Sequence, residues 1–199
     1  MEKAILIEDR KGRQARFLSS IEINALNDIR GFSMPKNEAC REWIDKINSG
    51  ATEELQDFSL IMIHRSVVGA DGLRALSRHC KKQKTNLILF SGGLGQVIYD
   101  NSSYQLLSLN SSDFYCPKLV EFIKSFVQGE VQNLLELIYG PKWELELLLR
   151  YRFLKARLES ETNIEVKIRL RAELEELRSA TGIDPDNINV EVKRKILIL

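Results

Sequence analysis

Lys3-Ala4-Ile5-Leu6-Ile7-Glu8-Asp9-Arg10 is the stretch that decides the fold. Ala4 to Ile7 is an unbroken apolar run, and charge ends it at once. It is too short for a helix and lacks the alternation of a half-exposed strand. A strand buried on both faces, in the middle of a parallel sheet, has this form. Two later runs repeat it. Phe58-Ser59-Leu60-Ile61-Met62-Ile63 ends at His64-Arg65-Ser66, and Asn86-Leu87-Ile88-Leu89-Phe90 runs into Ser91-Gly92-Gly93-Leu94-Gly95.

Amphipathic segments separate these runs. Pro35 to Ile47 places Ala39, Trp43, Ile44 and Ile47 on one helical face, and Ser49-Gly50 stops it. Ala70 to Lys84 carries Leu73, Leu76 and Cys80 at helical spacing, with Lys81, Lys82 and Lys84 where cations favour a helix C-terminus. Pro117 to Gln128 turns Leu119, Val120, Ile123 and Val127 inward, with Pro117 near its first position. Alternating strands and helices predict a parallel α/β domain over residues 1–128.

The intervening stretches are less regular. Gly12 to Ser20 predicts a short helix, Ile21 to Ile29 alternates like an edge strand, and Gly31 to Pro35 predicts a loop. Val97-Ile98-Tyr99 and Tyr104 to Leu109 flank the turn-rich Asp100-Asn101-Ser102-Ser103. From Gly129 the pattern becomes helical. Val131 to Tyr139 is broken by Gly140-Pro141, Lys142 to Glu159 follows, and a capping-box form at Thr162-Asn163-Ile164-Glu165 restarts a helix to Ala180. Residues 129–199 therefore predict a helical arm, with Ile188 to Leu199 open between strand and helix.

Composition mainly excludes. The chain has 199 residues, 29 Lys+Arg against 28 Asp+Glu, and a net charge of +1. Neither part has the bulk charge of a nucleic-acid binder, since 12 Lys+Arg face 13 Asp+Glu from Gly129 onward. The apolar runs are too short to span a bilayer, and the N-terminus lacks a secretory apolar region. A cytoplasmic protein is expected. Cys40, Cys80 and Cys116 are widely spaced without a CxxC, which predicts reduced thiols.

Residues 1–128 resemble the receiver domain of response regulators, a flavodoxin-like module. The carrying stretches are Ala4-Ile5-Leu6-Ile7-Glu8-Asp9, Ser59 to His64, Leu87-Ile88-Leu89-Phe90-Ser91 and Leu107-Ser108-Leu109-Asn110. The resemblance implies a flavodoxin-like parallel sheet. It also implies an acidic pair for Mg²⁺, a phosphoacceptor aspartate, a switch hydroxyl and a lysine. Glu8 and Asp9 match the acidic pair, and Ser91 the hydroxyl. His64 stands at the phosphoacceptor position and Asn110 near the lysine position, with Lys118 eight residues on. Two of the four roles are therefore absent, which implies a pseudo-receiver without aspartyl phosphorylation.

The residues admit other chemistry. Glu8 and Asp9 can hold a hard cation such as Mg²⁺, or can simply end a strand, with Asp9 capping the next turn. No other cofactor is expected. His64 adds an imidazole that suits metal binding or proton transfer. Gly92, Gly93 and Gly95 after a buried strand can let backbone N–H groups approach a phosphate, or make a tight turn. No nucleophile–base–orienter set is evident, so a non-enzymatic role is expected. In the arm, Leu145, Leu148, Leu149, Phe153, Leu170, Leu174 and Leu177 form apolar stripes that predict a homodimer or a protein partner. The expected function is a receiver-like signalling or adaptor protein acting through protein contacts. The alternative is a metal- or phosphate-dependent enzyme or ligand sensor using Glu8, Asp9, His64 and Ser91 to Gly95.

Overall fold

The computed structural model describes residues 3–181. Ile188 to Leu199, open between strand and helix, lies outside the described residues. The chain divides into two compact units between Ile138 and Tyr139.

The first unit is a mostly parallel α/β sheet. Its strands are β1 (Ala4–Ile7), β2 (Phe32–Ser33), β3 (Leu60–His64), β4 (Asn86–Ser91), β5 (Ile98–Asp100) and β6 (Leu106–Asn110). Their order is β2-β1-β3-β4-β6-β5, parallel except for β5, which pairs antiparallel with β6. The parallel part has the order of a flavodoxin-like sheet, with the edge hairpin added. The three apolar runs occupy the centre, where every residue of β1 and β3 is buried. Register places Ile7 beside Ile63 and His64 beside Phe90.

Helices flank the sheet: α1 (Lys11–Gln14), α2 (Ser20–Asn27), α3 (Glu38–Ser49), α4 (Ala70–Gln83), α5 (Ser111–Phe114), α6 (Lys118–Gln128) and α7 (Glu136–Tyr139). Alternate strand residues Ile5, Ile7, Ile61, Ile63, Leu87 and Leu89 share one core cluster with Cys40, Ile47, Leu76 and Cys80 from α3 and α4. Period-2 alternation sends Leu6, Met62 and Phe90 the other way. On that side Phe90 stacks on Phe114, ring centres 4.0 Å apart. The three cysteines are free thiols, and burial pushes Cys80 up to about 12.

Local chemistry overrides several expectations. Ile21 to Ile29, expected as a strand, is α2. Ser19 and Glu22 form a reciprocal capping box, which nucleates a helix and leaves Ile21 82% exposed. Of the expected Gly12 to Ser20 helix only α1 forms, followed by turns through Phe17. The edge strand is instead β2, inside the expected Gly31 to Pro35 loop, where Phe32 pairs with Ala4. Of Val131 to Tyr139 only α7 is helical. The preceding backbone is held by the Gln105 side chain, which accepts from Leu134 N and donates to Gln132 O, each at 2.9 Å. These bonds carry the first unit past Gln128 to Ile138.

The second unit contains α8 (Trp143–Ser160) and α9 (Ile164–Thr181), which pack against each other. Arg150 Nη2 pairs with Glu173 Oε1 at 2.5 Å. The cap of α9 is Asn163, whose Oδ1 accepts from Glu165 N at 2.9 Å, and not Thr162 as the capping-box form suggested. No helix among the described residues is long and apolar enough to cross a membrane.

Candidate functional site

The C-terminal ends of β1 and β3 lie side by side, so Glu8 and Asp9 emerge next to His64. One ligand atom from each lies within 4.8 Å of the other two. Ligand sites of parallel α/β sheets form at this edge. Asp9 is exposed, whereas Glu8 and His64 are buried.

Glu8 is fully engaged. Its side chain is 1% exposed. Oε1 accepts from Arg10 N at 3.1 Å, and Oε2 accepts from the Tyr115 hydroxyl at 3.2 Å. Arg13 Nη1 stands 3.4 Å from the same Oε2, with a side chain 14% exposed. That contact is an ion pair without a directed hydrogen bond, since Nη1 has no hydrogen-bond partner. Burial, then a hydrogen bond with the Asp9 side chain, pushes the Glu8 carboxyl up to about 7, against the opposing pull of Arg10 N–H and Arg13. Burial and the neighbouring Glu8 also raise the Tyr115 hydroxyl.

His64 shares a 2.7 Å hydrogen bond between Nδ1 and Ser66 Oγ. Its ring meets Phe90 edge to face at 5.4 Å. Burial, then the Arg13 charge, lowers its pKa to about 4, so the ring is neutral at pH 7.

These contacts decide the fit to Mg²⁺. That ion takes ionised oxygen ligands and keeps several waters. Here one carboxylate is dry, holds its proton to about pH 7 and faces a guanidinium, and the third group is an imidazole. The residues do not fit Mg²⁺. An imidazole with two carboxylates suits Mn²⁺ or Zn²⁺ better.

The remaining candidates sit one strand away. Ser91 ends β4, directly after the Phe90 that touches His64, and its Oγ accepts from Gly93 N at 3.4 Å. Gly92, Gly93 and Gly95 are exposed, and a Cβ at any of them would meet nothing within 4 Å. The loop is shaped from outside: Leu94 N donates to Ser91 O, while Asn110 Nδ2 donates to Gly92 O at 3.3 Å and Leu94 O at 2.9 Å. It leads into β5 and not into a helix, so no helix N-terminus backs it.

A cleft of about 680 Å³ adjoins the acidic pair, lined by Glu8, Asp9, Arg10, Lys36, Glu38 and Arg41 among others. In the second unit the apolar stripe divides. Leu148 and Leu170 are buried, Leu145, Leu174 and Leu177 are half-buried, and Leu149 and Phe153 are 51% and 65% exposed.

Arg13, Ser66 and Tyr115 carried no local signal in the sequence. Tyr115 lies 107 residues from Glu8, and Arg13 belongs to no recognisable motif. No family model matches the chain, and neither a curated protein nor a solved structure matches it.

Proposed function

We propose that the first unit is a flavodoxin-like, receiver-like signalling or adaptor module of the cytoplasm that works without aspartyl phosphorylation, through protein contacts. The observation that carries this is at the end of β3. Where the resemblance implies a phosphoacceptor aspartate, His64 is buried, neutral and bonded to Ser66. The strand order and the Glu8–Asp9 pair support the receiver-like part. The exposed Leu149 and Phe153 on α8 support a contact role for the helical arm, toward a second copy or another protein.

Acetyl phosphate with Mg²⁺, followed by intact mass and Trp43 fluorescence, tests the proposal. The expected result is no adduct and no spectral change. A stable phosphate adduct on the first unit would overturn it.

The convergence of Glu8, Asp9 and His64 within 4.8 Å favours a second reading, a transition-metal or phosphate-ligand sensor. Mn²⁺ or Zn²⁺ binding to the wild-type chain, abolished by Asp9→Ala and by His64→Ala, would establish it over the first.

A further inference from the structure

Three ligand-type side chains converge at the edge of the sheet, yet one already has a cation beside it. Arg13 Nη1 lies 3.4 Å from Glu8 Oε2, and the Arg13 charge also reaches His64. A divalent ion bound to that oxygen sits about 2.1 Å from it. Two cations would then share one buried carboxylate oxygen, in surroundings where water screens them little. The tether is short. Arg13 lies on the single turn α1, five residues after Glu8, and Phe17 just beyond it stacks on Tyr115 with ring centres 6.0 Å apart. Tyr115 in turn donates to Glu8 Oε2. Arg13 and Tyr115 therefore approach one oxygen, and the segment that carries Arg13 is clamped to Tyr115 by Phe17.

We infer that Arg13 is a built-in counter-cation that closes the Glu8–Asp9–His64 cluster to divalent ions, so that ion binding requires the α1 turn to withdraw. The inference rests on the receiver-like reading only in taking this cluster as the functional centre. It makes the α1 turn the element that decides whether the site is open.

The test is Mn²⁺ affinity of the full chain by calorimetry, for wild type, Arg13→Met and Arg13→Lys. Met keeps the apolar stem without charge, and Lys keeps the charge. Arg13→Met is expected to bind Mn²⁺ at least about tenfold more tightly than wild type. Arg13→Lys is expected to stay with wild type, and adding Asp9→Ala to Arg13→Met is expected to abolish the gain. Equal affinity in wild type and Arg13→Met, absence of binding in both, or a gain that survives Asp9→Ala would each overturn the inference. Circular dichroism checks that each variant folds. A second measurement compares onset: selective broadening of the Glu8, Asp9 and His64 amide resonances is expected at lower Mn²⁺ in Arg13→Met than in wild type, and the same onset in both would overturn the inference. Failure of the receiver-like reading shows separately, as a phosphate adduct.

Discussion

Asn110 Nδ2 donates to Leu94 O at 2.9 Å, joining the end of β6 to the glycine-rich loop after β4. The same amide reaches Gly92 O, and its Oδ1 accepts from Ser112 N at the start of α5. Near the position where the resemblance calls for a lysine, Asn110 is thus a clamp for two backbone segments. Asn110→Ala is expected to cost about 1–3 kcal/mol of stability, because two loop carbonyls lose their donor. Amide exchange should quicken at Gly92 to Gly95 while β1 and β3 stay protected. Unchanged exchange in the loop would refute the clamp.

Glu8 and His64 titrate with opposite consequences for stability. The folded chain holds the Glu8 proton to about 7, against 4.5 when unfolded. Its contribution is full below 4.5 and declines as pH rises to 7. His64 resists protonation down to about 4, against 6.5 when unfolded. Its contribution is full above 6.5 and is lost as pH falls toward 4. The slopes oppose each other between 4.5 and 6.5. Wild-type urea midpoints should therefore be nearly flat across that window. Glu8→Gln should give midpoints that climb from pH 4 to 6.5, and His64→Gln midpoints that decline from 4.5 to 7. Parallel profiles for both variants would show that these groups do not govern the response.

Gly72 on α4 packs closely against Asn48 on α3. A Cβ there would stand 2.5 Å from Asn48 Oδ1 and 3.1 Å from Asn48 Cα. Asn48 cannot easily move, since it donates to Val67 O at 3.0 Å and accepts from Gly69 N at 2.9 Å. Gly72→Ala should therefore destabilise by about 1–3 kcal/mol, despite the usual preference of helices for alanine. Thermal melting measures this, and an unchanged or raised midpoint would contradict the packing argument.

Leu149 and Phe153 lie one turn apart on α8 and are exposed. If the arm makes protein contacts, Leu149→Ser with Phe153→Ser should shift the mass seen by light scattering toward the monomer, or abolish capture of a partner, without lowering the helix content. An oligomeric state and partner set identical to wild type would argue against an assembly role for this stripe.

The central strands and three of the sheet-packing helices were legible because burial imposes a pattern. Ala4 to Ile7, Leu60 to Ile63 and Leu87 to Phe90 are continuous apolar runs, too short for a helix and of the form a strand covered on both faces takes. Ile21 to Ile29 misled because alternation is a weak signal beside a cap: Ser19 and Glu22 supply two hydrogen bonds that start a helix, and Ile21 then projects into solvent.

At the candidate site, the residues adjacent in sequence could be read in advance. Glu8-Asp9 ends a recognisable strand, and His64 ends another. That all three meet follows from β1 and β3 pairing in parallel, Ile7 beside Ile63, which no local pattern specifies. The state of the site was decided by tertiary structure alone. Arg13 on α1 and Tyr115 just after α5 reach Glu8 from parts of the chain distant from each other, and their proximity removes water from a carboxylate that would otherwise be an ordinary acidic strand end. Sequence determined which side chains end the strands, because periodicity records burial. The charge state of those side chains, and whether a metal can reach them, depended on desolvation and on distant partners, which only the folded chain brings together.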